Sequence, residues 1–148
     1  ILDGSDKDWR RGRAACVSMI PTSTGAAKAV GKVLPALDGK INGVSIRVPT
    51  FDCSIVDLVC EVEKKVDKDT VNAALKAASQ GYLKENMGYS EEPLVSIDYR
   101  GTTYGGVVDA LSTQVQCDTM VKLFVWYDNE AGFTNQLKRL VYHVAKSM

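Results

Sequence analysis

The sequence is short of the residues that most catalytic and metal sites require. Its 148 residues include one histidine, His143, and four cysteines, Cys16, Cys53, Cys60 and Cys117, with no Cys-x-x-Cys pair. The spacing does not fit a zinc site, and no metal ligand set is predicted. So few cysteines cannot form a disulfide scaffold, which fits a reducing compartment. They read as small, mostly buried apolar side chains. His143 falls in the last helical pattern with no nucleophile near it in sequence, so no Ser/His/Asp or Cys/His pair can be argued, and it reads as structural or solvated. No apolar run approaches the roughly 18 residues of a membrane-crossing helix. No basic stretch followed by an apolar segment opens the chain as a signal peptide would. Neither sign of charge is in excess, with 18 Lys and Arg against 18 Asp and Glu. That balance argues against a general nucleic-acid or membrane-surface binder. Repeats, low-complexity runs and Pro/Gly-rich linkers are also missing.

What is present is ordinary globular composition, 45% hydrophobic and 24% charged. The length predicts one domain over residues 1–148, long enough to bury roughly 70% of its unfolded surface. Disorder as the main state is excluded. The first residue is Ile, and Ile1-Leu2-Asp3-Gly4 reads like the middle of a longer protein.

Along the chain, the charge-dense stretch from Asp3 to Arg13 lacks apolar periodicity and reads as a surface loop anchored by Trp9. Thr22-Ser23-Thr24-Gly25 opens a helix with Thr24 as its N-cap, and Pro35 with Asp38-Gly39 closes it. Residues 41–48 alternate, with Val44, Ile46 and Val48 on one face, as in a half-buried strand ended by Pro49. A second strand over 54–63 places Val56, Leu58, Cys60 and Val62 on one face. Residues 68–80 shift to a helical period through Val71, Ala74, Leu75 and Ala78, with Gly81 as C-cap. Further strands are predicted at 94–99, 106–111 and 119–127. The last helix runs over roughly 133–146, with Leu137, Leu140, Val141 and Val144 at helical spacing. The link between the first two strands is too short for a crossover helix. The fold class is therefore α+β, a mostly antiparallel or mixed sheet with helices packed on one face.

Three places could carry chemistry. Ser23-Thr24-Gly25 stands at a helix start, where unpaired N–H groups and a partial positive charge favour phosphate. It is not a P-loop, because five residues separate Gly25 from Gly31 and Val33 stands where Ser or Thr is required. Pattern alone favours a plain cap. Arg47, on the polar face of its strand, could reach an anion held at that helix start, although a surface Arg fits the pattern as well. Trp126-Tyr127-Asp128-Asn129-Glu130 ends a strand before the last helix. Polar groups there suit ligand contact or ordinary turn chemistry.

These residues also carry a resemblance. Trp9-Arg10-Arg11-Gly12-Arg13-Ala14-Ala15, the block from Ile20 through Thr24-Gly25-Ala26-Ala27-Lys28-Ala29-Val30-Gly31-Lys32-Val33, Arg47-Val48-Pro49-Thr50, Val56-Asp57-Leu58 and Trp126-Tyr127-Asp128-Asn129-Glu130 occur in order along the whole chain. Together they resemble the C-terminal catalytic domain of phosphorylating glyceraldehyde-3-phosphate dehydrogenases. The resemblance implies a cytoplasmic, homotetrameric, two-domain glycolytic parent enzyme that uses NAD. In that parent, glyceraldehyde 3-phosphate is oxidised through a thiohemiacetal on a cysteine, and inorganic phosphate releases the product as 1,3-bisphosphoglycerate.

It implies that Ser23, Thr24 and Gly25 bind inorganic phosphate, that Arg47 contacts substrate-side anions, and that Asn129 orients the nicotinamide carboxamide. The family pattern Asn-Glu-Phe-Gly-Tyr is replaced here by Asn129-Glu130-Ala131-Gly132-Phe133, so Phe133 supplies a ring without the hydroxyl. None of the four cysteines lies in the family's Ser-Cys-Thr-Thr-Asn-Cys motif, and no Gly-rich dinucleotide fingerprint occurs. The chain thus reads as a truncated catalytic domain. Residues 1–18 would be the remainder of the family's S-shaped loop, and the nucleotide-binding domain, the nucleophilic Cys and its partner His would lie outside the chain. It is expected to be inactive alone, to bind NAD weakly and to self-associate through its sheet face. The alternatives are a non-enzymatic protein-binding module and part of a related erythrose-4-phosphate dehydrogenase.

Overall fold

Two separate sheets organise the chain in the computed structural model, which describes residues 3–4 and 7–148. The tertiary contacts divide between Phe51 and Asp52 into two compact units. Of the residues assigned to the opening loop, Ile1, Leu2, Ser5 and Asp6 lie outside the described set.

In the first unit, strand β1 (Ile20–Ser23) pairs antiparallel with β2 (Val44–Arg47). Helix α1 (Ala26–Val33) and a 3-10 turn at Pro35–Leu37 lie between them in sequence. β1 was not expected. Its Pro21 is tolerated because both strands of a two-stranded ribbon are edges. Val44, Ile46 and Val48 are exposed rather than half-buried, since only Ile20 of the ribbon is buried. Trp9 is 88% exposed and anchors nothing. The loop is pinned instead by Asp3, whose carboxylate accepts from the Ala14 amide at 2.8 Å and from Arg13 at 3.3 Å. These bonds, the Ala14 amide foremost, hold the Asp3 carboxyl below its ordinary pKa. Gly31 is buried within α1, where a Cβ would meet Asp38 Oδ1 at 2.7 Å. Glycine there allows the chain after the 3-10 turn to lie against the helix.

In the second unit, β3 (Ser54–Glu61), β4 (Met87–Ser90), β5 (Gly106–Gln116) and β6 (Met120–Tyr127) form one sheet in the order β3-β6-β5-β4. The β3–β6 and β5–β6 pairs are antiparallel and β4–β5 is parallel, so the sheet is mixed and the class is α+β. The strands predicted at 41–48 and 54–63 do not pair with each other. They belong to different sheets, and the antiparallel character comes from β6 and its two neighbours. Helix α2 (Lys68–Gln80) matches its predicted span, with Gly81 as C-cap. Its N-cap is Asp67, which accepts from the Thr70 amide at 2.7 Å. α2 is fastened to β5 by Asn72, which donates to Ala110 O at 3.0 Å and accepts from Thr113 Oγ1 at 2.7 Å.

The core is built on the two central strands, from Val107, Val108, Ala110, Val121 and Leu123. Each such Val or Leu side chain, fully buried, contributes about 1.5–3 kcal/mol. Val56 and Leu58 are exposed because β3 is an edge strand. The strand predicted at 94–99 is a 3-10 turn at Ser96–Tyr99, because Asp98 accepts from the Val95 amide at 2.8 Å and closes the backbone on itself. The strand at 87–90 was missed. Helix α3 (Ala131–Ser147) starts two residues before its predicted limit.

Candidate functional site

The phosphate-site candidates follow directly from β1. The strand ends at Ser23, and Thr24 and Gly25 turn the chain into α1. Gly25, not Thr24, holds the N-cap position, with φ −88° and ψ 0°. Thr24 caps from one residue earlier, its Oγ1 accepting from the Ala26 amide at 3.1 Å. The hydroxyl proton is not used in that bond, so Thr24 can still donate to an anion. The first-turn amides of α1 have no intrahelical acceptor. A Cβ on Gly25 would meet nothing within 4 Å, which leaves the backbone there open to approach. Hydroxyl donor, amide donors and helix dipole converge as an anion site requires.

Arg47 closes the other end of the same ribbon. It pairs with Ile20, while Ser23 pairs with Val44. Three strand steps, roughly 10 Å, therefore separate the Arg47 backbone from the pair that leads into Thr24. Arg47, Ser45 and Thr22 share one face of the ribbon, by the alternation of the paired residues. Ile20 lies on that face too, and Ser23, paired with Val44, lies on the other.

Asn129 and Phe133 belong to the second unit. Both are exposed, Asn129 where β6 gives way to α3 and Phe133 in the first turn of that helix. The residue that fixes them is Asp128, only 3% exposed. Its Oδ1 accepts from the Glu130 and Ala131 amides at 2.8 and 2.7 Å, and its Oδ2 from the Gly101 amide at 2.8 Å. These bonds, Gly101 first, hold its carboxyl below the ordinary range. Asp128 thus caps α3 from two residues before the N-cap Glu130 and ties that start to a distant turn. Gly132 is buried there, and a Cβ would meet Tyr104 O at 2.7 Å, so only glycine lets α3 begin so close to the 102–104 segment. The sequence reading noted turn chemistry at this point without singling out Asp128. An Asp followed within three residues by a helical pattern was the available signal.

Beside Asp128, Asp52 and Cys53 bring ligand-type atoms within 4.8 Å of one another. Both Asp128 oxygens are already committed to amides, and Asp52 pairs with Arg100 at 3.3 Å. The arrangement acts as scaffold. Cys53 is buried with φ +67°, and desolvation, together with the neighbouring Asp52 and Asp128, raises its thiol pKa. The expectation of mostly buried cysteines is corrected for two of the four: Cys16 and Cys117 are exposed, and Cys60 is intermediate. His143 is exposed on α3.

Comparison with known proteins supplies the frame for these positions. A family profile described as "Glyceraldehyde 3-phosphate dehydrogenase, C-terminal domain" matches residues 1–129. The chain is 58% identical over 144 residues to glyceraldehyde-3-phosphate dehydrogenase 1 of Bacillus cereus, covering 97% of this chain and 43% of that protein. It is 57% identical over 145 residues to glyceraldehyde-3-phosphate dehydrogenase of Geobacillus stearothermophilus, covering 98% and 43%. It is 51% identical over 148 residues to the cytosolic enzyme of Pisum sativum, covering 99% and 44%. The chain therefore spans about two-fifths of the length of these relatives. No helix among the described residues is long and apolar enough to cross a membrane.

Proposed function

The chain belongs to the glyceraldehyde-3-phosphate dehydrogenase family, matching its C-terminal domain, and from that premise we propose that it supplies the anion-binding and nicotinamide-facing groups of an NAD-dependent phosphorylating aldehyde dehydrogenase. The reaction is oxidation of glyceraldehyde 3-phosphate with uptake of inorganic phosphate, giving 1,3-bisphosphoglycerate. It takes place in a cytoplasmic homotetramer.

The observation that carries this reading is the start of α1. Thr24 has a hydroxyl proton to donate, the backbone at Gly25 is open, and the first-turn amides beyond Ala26 have no intrahelical acceptor. In the reaction, Ser23, Thr24 and Gly25 hold inorganic phosphate in position for attack on the acyl group. Holding it there converts an encounter between solutes into a positioned one. Arg47, spaced along the ribbon, neutralises the oxygens of the substrate-side phosphate with a planar pair of N–H donors.

NAD, when bound, accepts the hydride of the aldehyde. The residues on the nicotinamide side fit it: Asn129 offers an exposed side-chain amide that matches a carboxamide donor for acceptor, and Phe133 offers an exposed ring one helical turn on. Asp128 keeps Asn129 in register with the helix start through three amide bonds. The nucleophilic thiol and its histidine come from outside these 148 residues, so the chain alone forms no NADH.

In the enzyme that carries this chain, Arg47→Ala removes a charge-assisted contact worth ~1.5–3 kcal/mol, or about 10–150-fold in substrate or phosphate handling. Steady-state kinetics with aldehyde and phosphate varied in turn check this. Unchanged values for both would remove Arg47 from the site.

A further inference from the structure

A concavity in the second unit lies between α3 and the turn that leads into β4. It measures about 820 Å³. Its walls carry Lys84, Arg139, His143 and Lys146, against a single carboxylate, Glu85. Arg139, His143 and Lys146 recur at i, i+4 and i+7 and so form one stripe along α3. The walls are fastened together. Arg139 donates to Thr103 O at 2.8 Å, and Gln136 donates to Thr103 O at 3.2 Å and to Glu85 O at 3.4 Å. Glu85 is held in a left-handed conformation, φ +73°, and its carboxylate stands 3.8 Å from Arg139 Nε. Among the described residues, Lys84, His143 and Lys146 have no ion-pair partner. In a chain with no net charge, Lys84, Arg139 and Lys146 against Glu85 are a local excess of cations inside a concave wall, where the field is focused.

We propose that this groove binds a chain of phosphates, as in a condensed inorganic phosphate or the tail of a nucleoside triphosphate. Seven residues of helix separate Arg139 from Lys146, roughly 10 Å. One tetrahedral anion cannot touch both ends of that stripe, whereas three linked phosphates can, with Lys84 closing from the opposite wall. The two sources differ in the base, for which Tyr142 offers an exposed ring at the edge of the groove.

Titration calorimetry of the purified protein with inorganic tripolyphosphate, ATP, adenosine and single inorganic phosphate tests the proposal. Tripolyphosphate and ATP should bind saturably at one site, and adenosine should not. The double variant Lys84→Gln, Lys146→Gln should weaken both by about 10-fold or more, and the Lys→Arg double variant should retain both, which separates charge loss from misfolding. Arg47→Ala should leave the affinity unchanged, which separates this groove from the anion site at α1. Equal affinity for tripolyphosphate and ATP assigns the groove to the phosphate chain alone. Tighter ATP binding that Tyr142→Ala abolishes assigns it to a nucleotide. No saturable binding, or binding unaffected by the Gln variants, overturns the proposal.

Discussion

At the scale of single residues, Asp128 makes a pH-dependent contribution to the fold. Its pKa is lowered by three amide donors, so it is ionised in the folded state at pH values where an unfolded carboxylate is partly protonated. The sign follows from that direction. The stabilisation is complete above the ordinary carboxylate range and is lost as pH falls through the lower folded value. Asp128→Asn should therefore flatten the loss of stability on the acid side, and it should cost about 1.5–3 kcal/mol at neutral pH. Urea unfolding at a series of pH values checks both; an unchanged acid slope would deny Asp128 this role. Thr24, Gly25, Arg47 and Asn129 stand out in the sequence because they sit in contiguous motifs that resemble the family's, and their roles are those proposed above. Asp128's role was not legible there, because one of its three donors, the Gly101 amide, lies 27 residues away. The burial of Cys53 and the exposure of Cys117 were equally invisible to composition.

At the scale of elements, the sequence predicted what periodicity controls and failed where local hydrogen bonding intervenes. α2 was read to the residue, because its apolar spacing and Gly81 agree. The 94–99 segment alternates like a strand, but Asp98 captures the Val95 amide and turns it. β5 was read only to residue 111, whereas the strand runs to Gln116 past an irregularity that begins at Asp109. The buried Asp109 carboxylate accepts from the Leu111 and Ser112 amides and builds a bulge, after which pairing resumes at Gln114. The β5–β6 turn holds Cys117 and Asp118 both at positive φ, 51° and 59°, where L-residues are strained. Asn tolerates the first of these positions better than Cys, so Cys117→Asn should stabilise by about 0.5–1 kcal/mol. Thermal unfolding measures it, and a lower melting temperature would show that the Cys side chain matters to the turn.

At the scale of the whole molecule, much apolar surface lies open. Ile55, Val56, Leu58 and Val59 on the edge strand β3, and Leu137, Leu140, Val141 and Val144 on α3, are all exposed. Patches of this kind favour association, and an unpaired edge strand adds a row of backbone groups able to pair. The isolated chain should self-associate as its concentration rises, and sedimentation velocity would contradict this by showing a lone monomer throughout. The central claim concerns the start of α1, and the most direct measurement is the KM for inorganic phosphate of Thr24→Ala in the enzyme that carries this chain. Loss of one hydroxyl bond to an anion predicts a rise of about 10–150-fold with the KM for the aldehyde little changed. An unchanged KM for phosphate would contradict the account.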